Sequence, residues 1–195
     1  MARSDPASAK KERNKTIKWV TTIFLITIVV SGVISFVSDS VMEGSNIGVA
    51  FLILLMIIFI GIVFDIIGMA VASADEKPFH SMAARKVPGA QEAIRLLRNA
   101  ERVSSICNDV VGDICGVISG SASATIAVQV ISNFEFGWPQ IISLLMSSLA
   151  AGLTVGGKAL GKTFAVNSCV DIVHSVGKLI FTLRHFPKGF GKKKK

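Results

Sequence analysis

The sequence predicts an all-α polytopic membrane protein with four transmembrane helices plus cytoplasmic juxtamembrane amphipathic helices. Hydrophobic residues fill 51% of its 195 positions and charged residues only 17%, and a mean hydropathy of +0.60 suits a chain whose solvent is partly lipid. Four apolar stretches are long enough to cross a bilayer core of about 30 Å. Lysines and arginines gather in alternate connections between those stretches, as the positive-inside rule requires. No stretch remains for a large soluble catalytic domain.

Residues 1–15 are polar and basic with no apolar period, and they read as a disordered cytoplasmic tail. A four-helix transmembrane domain follows over 16–160. Its first span, Ile17 to Val37, starts beside Trp19 and reads as a signal anchor, because the charged region before it is long and no clear small-x-small cleavage site follows. The second span, Ile47 to Ala72, includes AFLILLMIIFIGIVF and carries a single charge, Asp65. Polar composition returns from Ser73 to Arg102, broken by Pro78 and Pro88. Within it PGAQEAIRLLRNAERV forms a juxtamembrane amphipathic helix over 88–102, with Ile94, Leu97 and Ala100 opposite Arg95, Arg98 and Arg102.

The third span, Val103 to Ile131, is less apolar and holds Gly112, Gly116 and Gly120. Glycine at every fourth position lets another helix backbone approach closely, so these three residues are expected to pack helices together. Trp138 anchors the loop after it at an interface. The fourth span runs from Ile141 to about Gly157, diluted by Ser143, Ser147, Ser148, Gly152 and Thr154. A C-terminal amphipathic cytoplasmic helix over 161–187 sets Ala165, Ile172, Val176, Leu179 and Leu183 against Asn167, Asp171, His174 and Lys178, and a polybasic tail occupies 188–195.

The amino tail into the first span carries six basic residues, the loop after the second span six, and the stretch from Lys158 onward nine, which together are all 21. The two opposite loops carry only Asp39, Glu43 and Glu135. Both termini are therefore placed in the cytoplasm of an integral, plasma-membrane protein. The net charge of +8 reports this topology and contact with anionic lipids at the cytoplasmic face, with no need for a nucleic-acid partner.

Three carboxylates, Asp65, Asp109 and Asp113, fall inside the spans, where an acid at the helix centre costs about 2.5–3.5 kcal/mol. Asp65 and Asp113 lie nine residues from the cytoplasmic ends of their helices, at a depth of roughly 14 Å. Asp109 is one turn nearer the cytoplasm with Asn108 beside it. Two or three carboxylates with an amide supply the hard oxygen ligands that Mg²⁺ or Ca²⁺ prefers, so Asp65, Asn108, Asp109 and Asp113 form a candidate metal site. Lys158 is read either as an interfacial lysine extending toward water or as counter-charge to Asp65 or Asp113, with a part in gating.

Other chemistry is sparse. Cys107, Cys115 and Cys169 form no CxxC pair and read as free thiols, while His80, His174 and His185 show no ligand spacing. No Walker or GxGxxG pattern accompanies the glycines, and no catalytic set can be assembled from the spacings. The chain is thus not expected to be an enzyme.

The order of features resembles the transmembrane domain of the cyclin M and CorB/CorC magnesium transporter family. A span ending GIVFDIIGMAVASADEKPFHSMAARK, then PGAQEAIRLLRNAERVSSI, then a polar span with VVGDI carry the likeness. Family members have an FFSxxE-like stretch, a juxtamembrane AxxxLxLLxxPxRFLST helix, a GN motif and a GEIxPK motif. Without a gap, Phe64 to Ser105 superimposes on the first two, placing the motif's Ser on Asp65 and its Glu on Gly68. Gly112 and Asp113 match GN after a two-residue shift, and Gly157 to Lys162 match GEIxPK loosely, with Lys158 where the Glu would stand. The resemblance implies Mg²⁺ held by oxygen ligands from these spans, and a homodimer. The family's CBS segments are not in this sequence, and an extra amino-terminal span is. The resulting expectation is divalent cation transport or binding at an intramembrane carboxylate site. The alternative is a non-transporting membrane scaffold in which an Asp–Lys salt bridge replaces the ion.

Overall fold

The computed structural model describes residues 6–134 and 138–185, without the side chains of residues 6–15, Glu43 and Phe134. Residues 1–5, Glu135 and the polybasic stretch 188–195 lie outside the described residues. In chain order the helices are α1 (Pro6–Glu43), α2 (Ile47–Ser73), α3 (Lys77–Ala84), α4 (Ala90–Leu97), α5 (Ala100–Ser105), a π-helical segment (Ile106–Gly112), α6 (Asp113–Phe134), α7 (Pro139–Asn167) and α8 (Cys169–His185). No strand occurs among the described residues. Thr16–Met42, Ile47–Ser73, Ala100–Asn133 and Pro139–Asn167 are each long and apolar enough to cross a membrane. The chain is an all-α integral membrane protein.

Helix α2 is the hub, because α6, α7, the π segment, α5 and α8 all pack on it. Close approach is made possible by glycine at particular points. A Cβ on Gly61 would meet the Cβ of Cys115 at 2.8 Å, one on Gly161 would meet Ile66 at 2.8 Å, and Gly68 and Gly157 are pressed as tightly against Asn108 and Ile62. In lipid, where apolar side chains gain little by hiding from tails, such backbone proximity is what holds helices together. By contrast α1 is peripheral, packed on α6 with most of its Val, Ile and Phe side chains turned outward.

Two apolar layers flank a polar one. Met42, Ala50, Leu54, Ile58, Ala122 and Ile126 form the layer near the α1–α2 turn. Ala70, Val71, Phe79, Ala93, Ile94, Leu97, Ala165 and Val173 form the other, where α3, α4 and α8 close the basic end of the bundle. Asp65 and Lys158 lie between them.

Several boundaries differ from those expected. The segment read as a disordered tail is helical from Pro6, because Ala7, Ala9, Lys10, Lys11, Glu12 and Arg13 are good helix formers that extend α1 from its apolar span. The juxtamembrane helix expected over 88–102 is shorter: Gly89 at φ +87° precedes α4, and the Asn99 side chain donates to the Arg95 carbonyl where α4 ends. From Ala100 the chain runs directly into the third span. Pro78, expected to break structure, sits in the first turn of α3, where its missing N–H costs nothing.

The fourth span does not stop at Gly157. Helix α7 continues to Asn167 and the break falls at Ser168, so over residues 161–185 the expected C-terminal helix is divided between the end of α7 and α8, and residues 186–187 lie outside the described residues. The glycines that suggested an end are the residues that let α7 lie against Ile62 and Ile66. On α8 the buried stripe is Val173 and Gly177, while Leu179 and Leu183 face outward.

Candidate functional site

Lysine 158 is deep inside α7, nine residues before its end at Asn167, or roughly 14 Å along the axis. Within the bundle it stands level with Asp65 and Asp113, which favours the counter-charge reading of Lys158 over that of an interfacial lysine. Its Nζ lies 3.6 Å from Asp65 Oδ1 and 3.5 Å from Asp113 Oδ1, and donates to the Gly112 carbonyl at 3.2 Å. One ammonium from α7 therefore joins a carboxylate of α2 to the junction of the π segment with α6.

The environments of the two acids are unlike. Asp65 is buried, its side chain 9% exposed, whereas the Asp113 side chain is 71% exposed on the surface of the single chain. Glycine at 112 makes room for the cluster: a Cβ there would stand 3.3 Å from both Asp65 Oδ1 and Lys158 Nζ. With two carboxylates and one ammonium the cluster carries a formal charge of −1, and Cys115 packs across from Gly61.

Asn108 and Asp109 do not join the ion pair. Asn108 faces Gly68, one turn along α2 from Asp65, and its Nδ2 donates to Ser104 Oγ at 3.3 Å. Its Oδ1 is buried with no hydrogen-bond partner among the described residues. Asp109 is exposed and accepts a hydrogen bond from Ser105 Oγ at 2.7 Å. Among the described residues no three His, Cys, Asp or Glu side chains converge as a metal-binding group.

The remaining expected site residues are the glycines. Gly112 belongs to the ion-pair cluster, but among the described residues nothing lies within 4 Å of a Cβ built on Gly116 or Gly120, so the close helix contact expected of them is not made there. Gly61, Gly68, Gly157 and Gly161 make it instead. Two participants had no sequence signal: the Gly112 carbonyl as an acceptor, and the π segment that presents it. π-Helical turns concentrate at functional positions, since the wider i→i+5 spacing re-aims side chains and carbonyls.

Chemically, the site can hold one positive charge between two carboxylates. A hydrated dication placed there with Lys158 unmoved would meet a like charge within 4 Å of both ligands, so the residues do not fit Mg²⁺ in this arrangement. With the ammonium withdrawn, two carboxylates would match a charge of +2 with oxygen donors of the kind Mg²⁺ requires. Comparison with known proteins found no family model, curated protein or solved structure that matches the chain.

Proposed function

We propose that the chain is a cation-handling membrane protein in which Lys158 is a tethered surrogate for the cation. The observation that supports this reading is the position of the ammonium, within 3.6 Å of both intramembrane carboxylates. At rest it neutralises part of their charge. When it withdraws, a divalent ion, Mg²⁺ by the resemblance to cyclin M and CorB/CorC transporters, takes its place between Asp65 and Asp113. Asn108 and Asp109, one turn toward the basic end, form the entrance. By the positive-inside rule that end is cytoplasmic, with both termini on it and anionic lipid as its neighbour. A homodimer in the plasma membrane completes the reading.

Mn²⁺ binding to the purified protein tests it. Lys158→Met should raise affinity at least tenfold, and adding Asp65→Asn should abolish the gain. Unchanged affinity in Lys158→Met would refute the surrogate-cation reading. The second reading, a scaffold that carries no ion, draws support from the three oxygens around the ammonium, which match its three N–H donors. It expects Lys158→Met to unfold the bundle without any gain in metal affinity.

A further inference from the structure

At the basic end, away from the intramembrane cluster, the last turn of α8 closes over the α3–α4 loop and the start of α4. Between them is a cleft of about 420 Å³ whose walls include Lys86, Glu92, Arg95, Phe181, Arg184 and His185. The crossing that creates it is as tight as backbones allow. A Cβ on Gly177 would stand 2.6 Å from the Gly89 carbonyl oxygen, and the His174 Nε2–Pro88 carbonyl pair is 3.2 Å apart. The cleft is thus built by main-chain contact between segments some ninety residues apart.

Its electrostatics are organised around one carboxylate. Glu92, 12% exposed, accepts from Arg95 Nη1 at 2.9 and 3.0 Å and from Arg184 Nη1 at 3.2 Å. Each guanidinium has five N–H donors, and Nη1 is the nitrogen both spend on Glu92, so Nε and Nη2 keep their donors for another acceptor. Two arginines held by a shared anchor on the walls of one cleft make a fork suited to an oxyanion, which Arg recognises bidentately. Lys86 adds a third cation, and it is held at φ +58°, a conformation that ordinarily selects glycine or asparagine. Three cations against Glu92 leave +2.

We infer that this cleft binds a phosphate group, either free in solution or on the headgroup of an anionic lipid. A phosphomonoester carries about −1.5 to −2 at pH 7 and three acceptor oxygens, which matches the charge and the donors present. The volume is in the range of small-ligand sites and exceeds what a lone ion needs. Phe181, tilted against His185 with ring centroids 4.1 Å apart, gives one wall an apolar face for the organic part of the ligand.

The test uses the full chain in phosphatidylcholine nanodiscs at fixed ionic strength, with two probes: inorganic phosphate added to the buffer, and phosphatidate included in the disc. Thermal unfolding is the readout. Stabilisation by inorganic phosphate identifies a soluble ligand, and stabilisation only by phosphatidate identifies a lipid headgroup. Arg184→Gln and Lys86→Gln should each weaken the effect about tenfold, while Arg98→Gln, whose partner is Glu76 outside the cleft, should leave it unchanged. No stabilisation by either probe, or equal losses in all three variants, would overturn the inference. Two variants on opposite walls guard against misfolding of one.

Discussion

Removing the ammonium of Lys158 should reveal that two ion pairs of nearly equal length contribute very differently. Two unit charges about 4 Å apart attract by roughly 4 kcal/mol at an effective dielectric constant near 20, and distance alone would rank Asp65 and Asp113 as equals. Burial separates them. Asp65 is almost enclosed, so Lys158→Met strands a carboxylate that cannot reach water, a loss of about 3–5 kcal/mol. Asp113 is 71% exposed on the single chain, and with water at that face, as an ion pathway would require, its pair couples by about 0–1 kcal/mol. A double-mutant cycle for Lys158→Met with Asp65→Asn should therefore give a coupling of about 2–3 kcal/mol, and the cycle with Asp113→Asn less than about 1 kcal/mol. Reversible unfolding of the purified protein in mixed micelles by a denaturing detergent measures both. Equal couplings, or a Lys158–Asp65 value near zero, would refute the argument from burial.

Three further outcomes are expected. Gly177→Ala should destabilise by about 1–3 kcal/mol through overpacking against the Gly89 carbonyl, and hydrogen exchange should rise first along α8. Phe79, fully buried between α3 and the α4–α8 layer, should cost about 3–5 kcal/mol when truncated to Ala, with α3 losing exchange protection. Gly120→Ala should be neutral or stabilising by up to about 1 kcal/mol, since its Cβ enters open space and alanine is the better helix former, while Gly61→Ala should destabilise the same unfolding transition. A destabilised Gly120→Ala would refute the reading of open space at that glycine.

The spans were legible because each repeats apolar residues for the width of a bilayer, a signal that needs no tertiary information. Where α7 ends was not. Gly156, Gly157, Lys158, Gly161 and Lys162 look like a polar, broken stretch when read locally, yet contact with Ile62 and Ile66 keeps them helical. The same misplacement made Lys158 look interfacial. Moving the helix end to Asn167 puts it level with the acids, and the pairing with Asp65 or Asp113, already an option from charge alone, becomes a distance.

Less visible still was the difference between the acids. Asp65 and Asp113 are alike in type and depth, and only the packing around α2 decides that one is enclosed and the other faces outward. The glycine stripe misled for a related reason: spacing reports that a close approach is allowed, but a partner must exist for it to be made. Within the chain that partner meets Gly112 and passes by Gly116 and Gly120. At the basic end, a sequence reader sees Glu92 three residues before Arg95 and a routine helix pair; Arg184 enters only when α8 folds back.

The seven-residue π segment of the third span has a consequence for how the chain tolerates change. Indels in a membrane-spanning helix normally rotate everything beyond them and spoil both faces at once. Here Ile106–Gly112 already holds residues in surplus over an α-helical path, so its two ends are not phased to each other by ordinary helical counting. Loss of one residue between them could be absorbed by tightening to α-helix, leaving α5 docked on α2 while α6 keeps its own packing. The segment is a length buffer, and alignments that count residues across it will slip at the point where Asp113 begins.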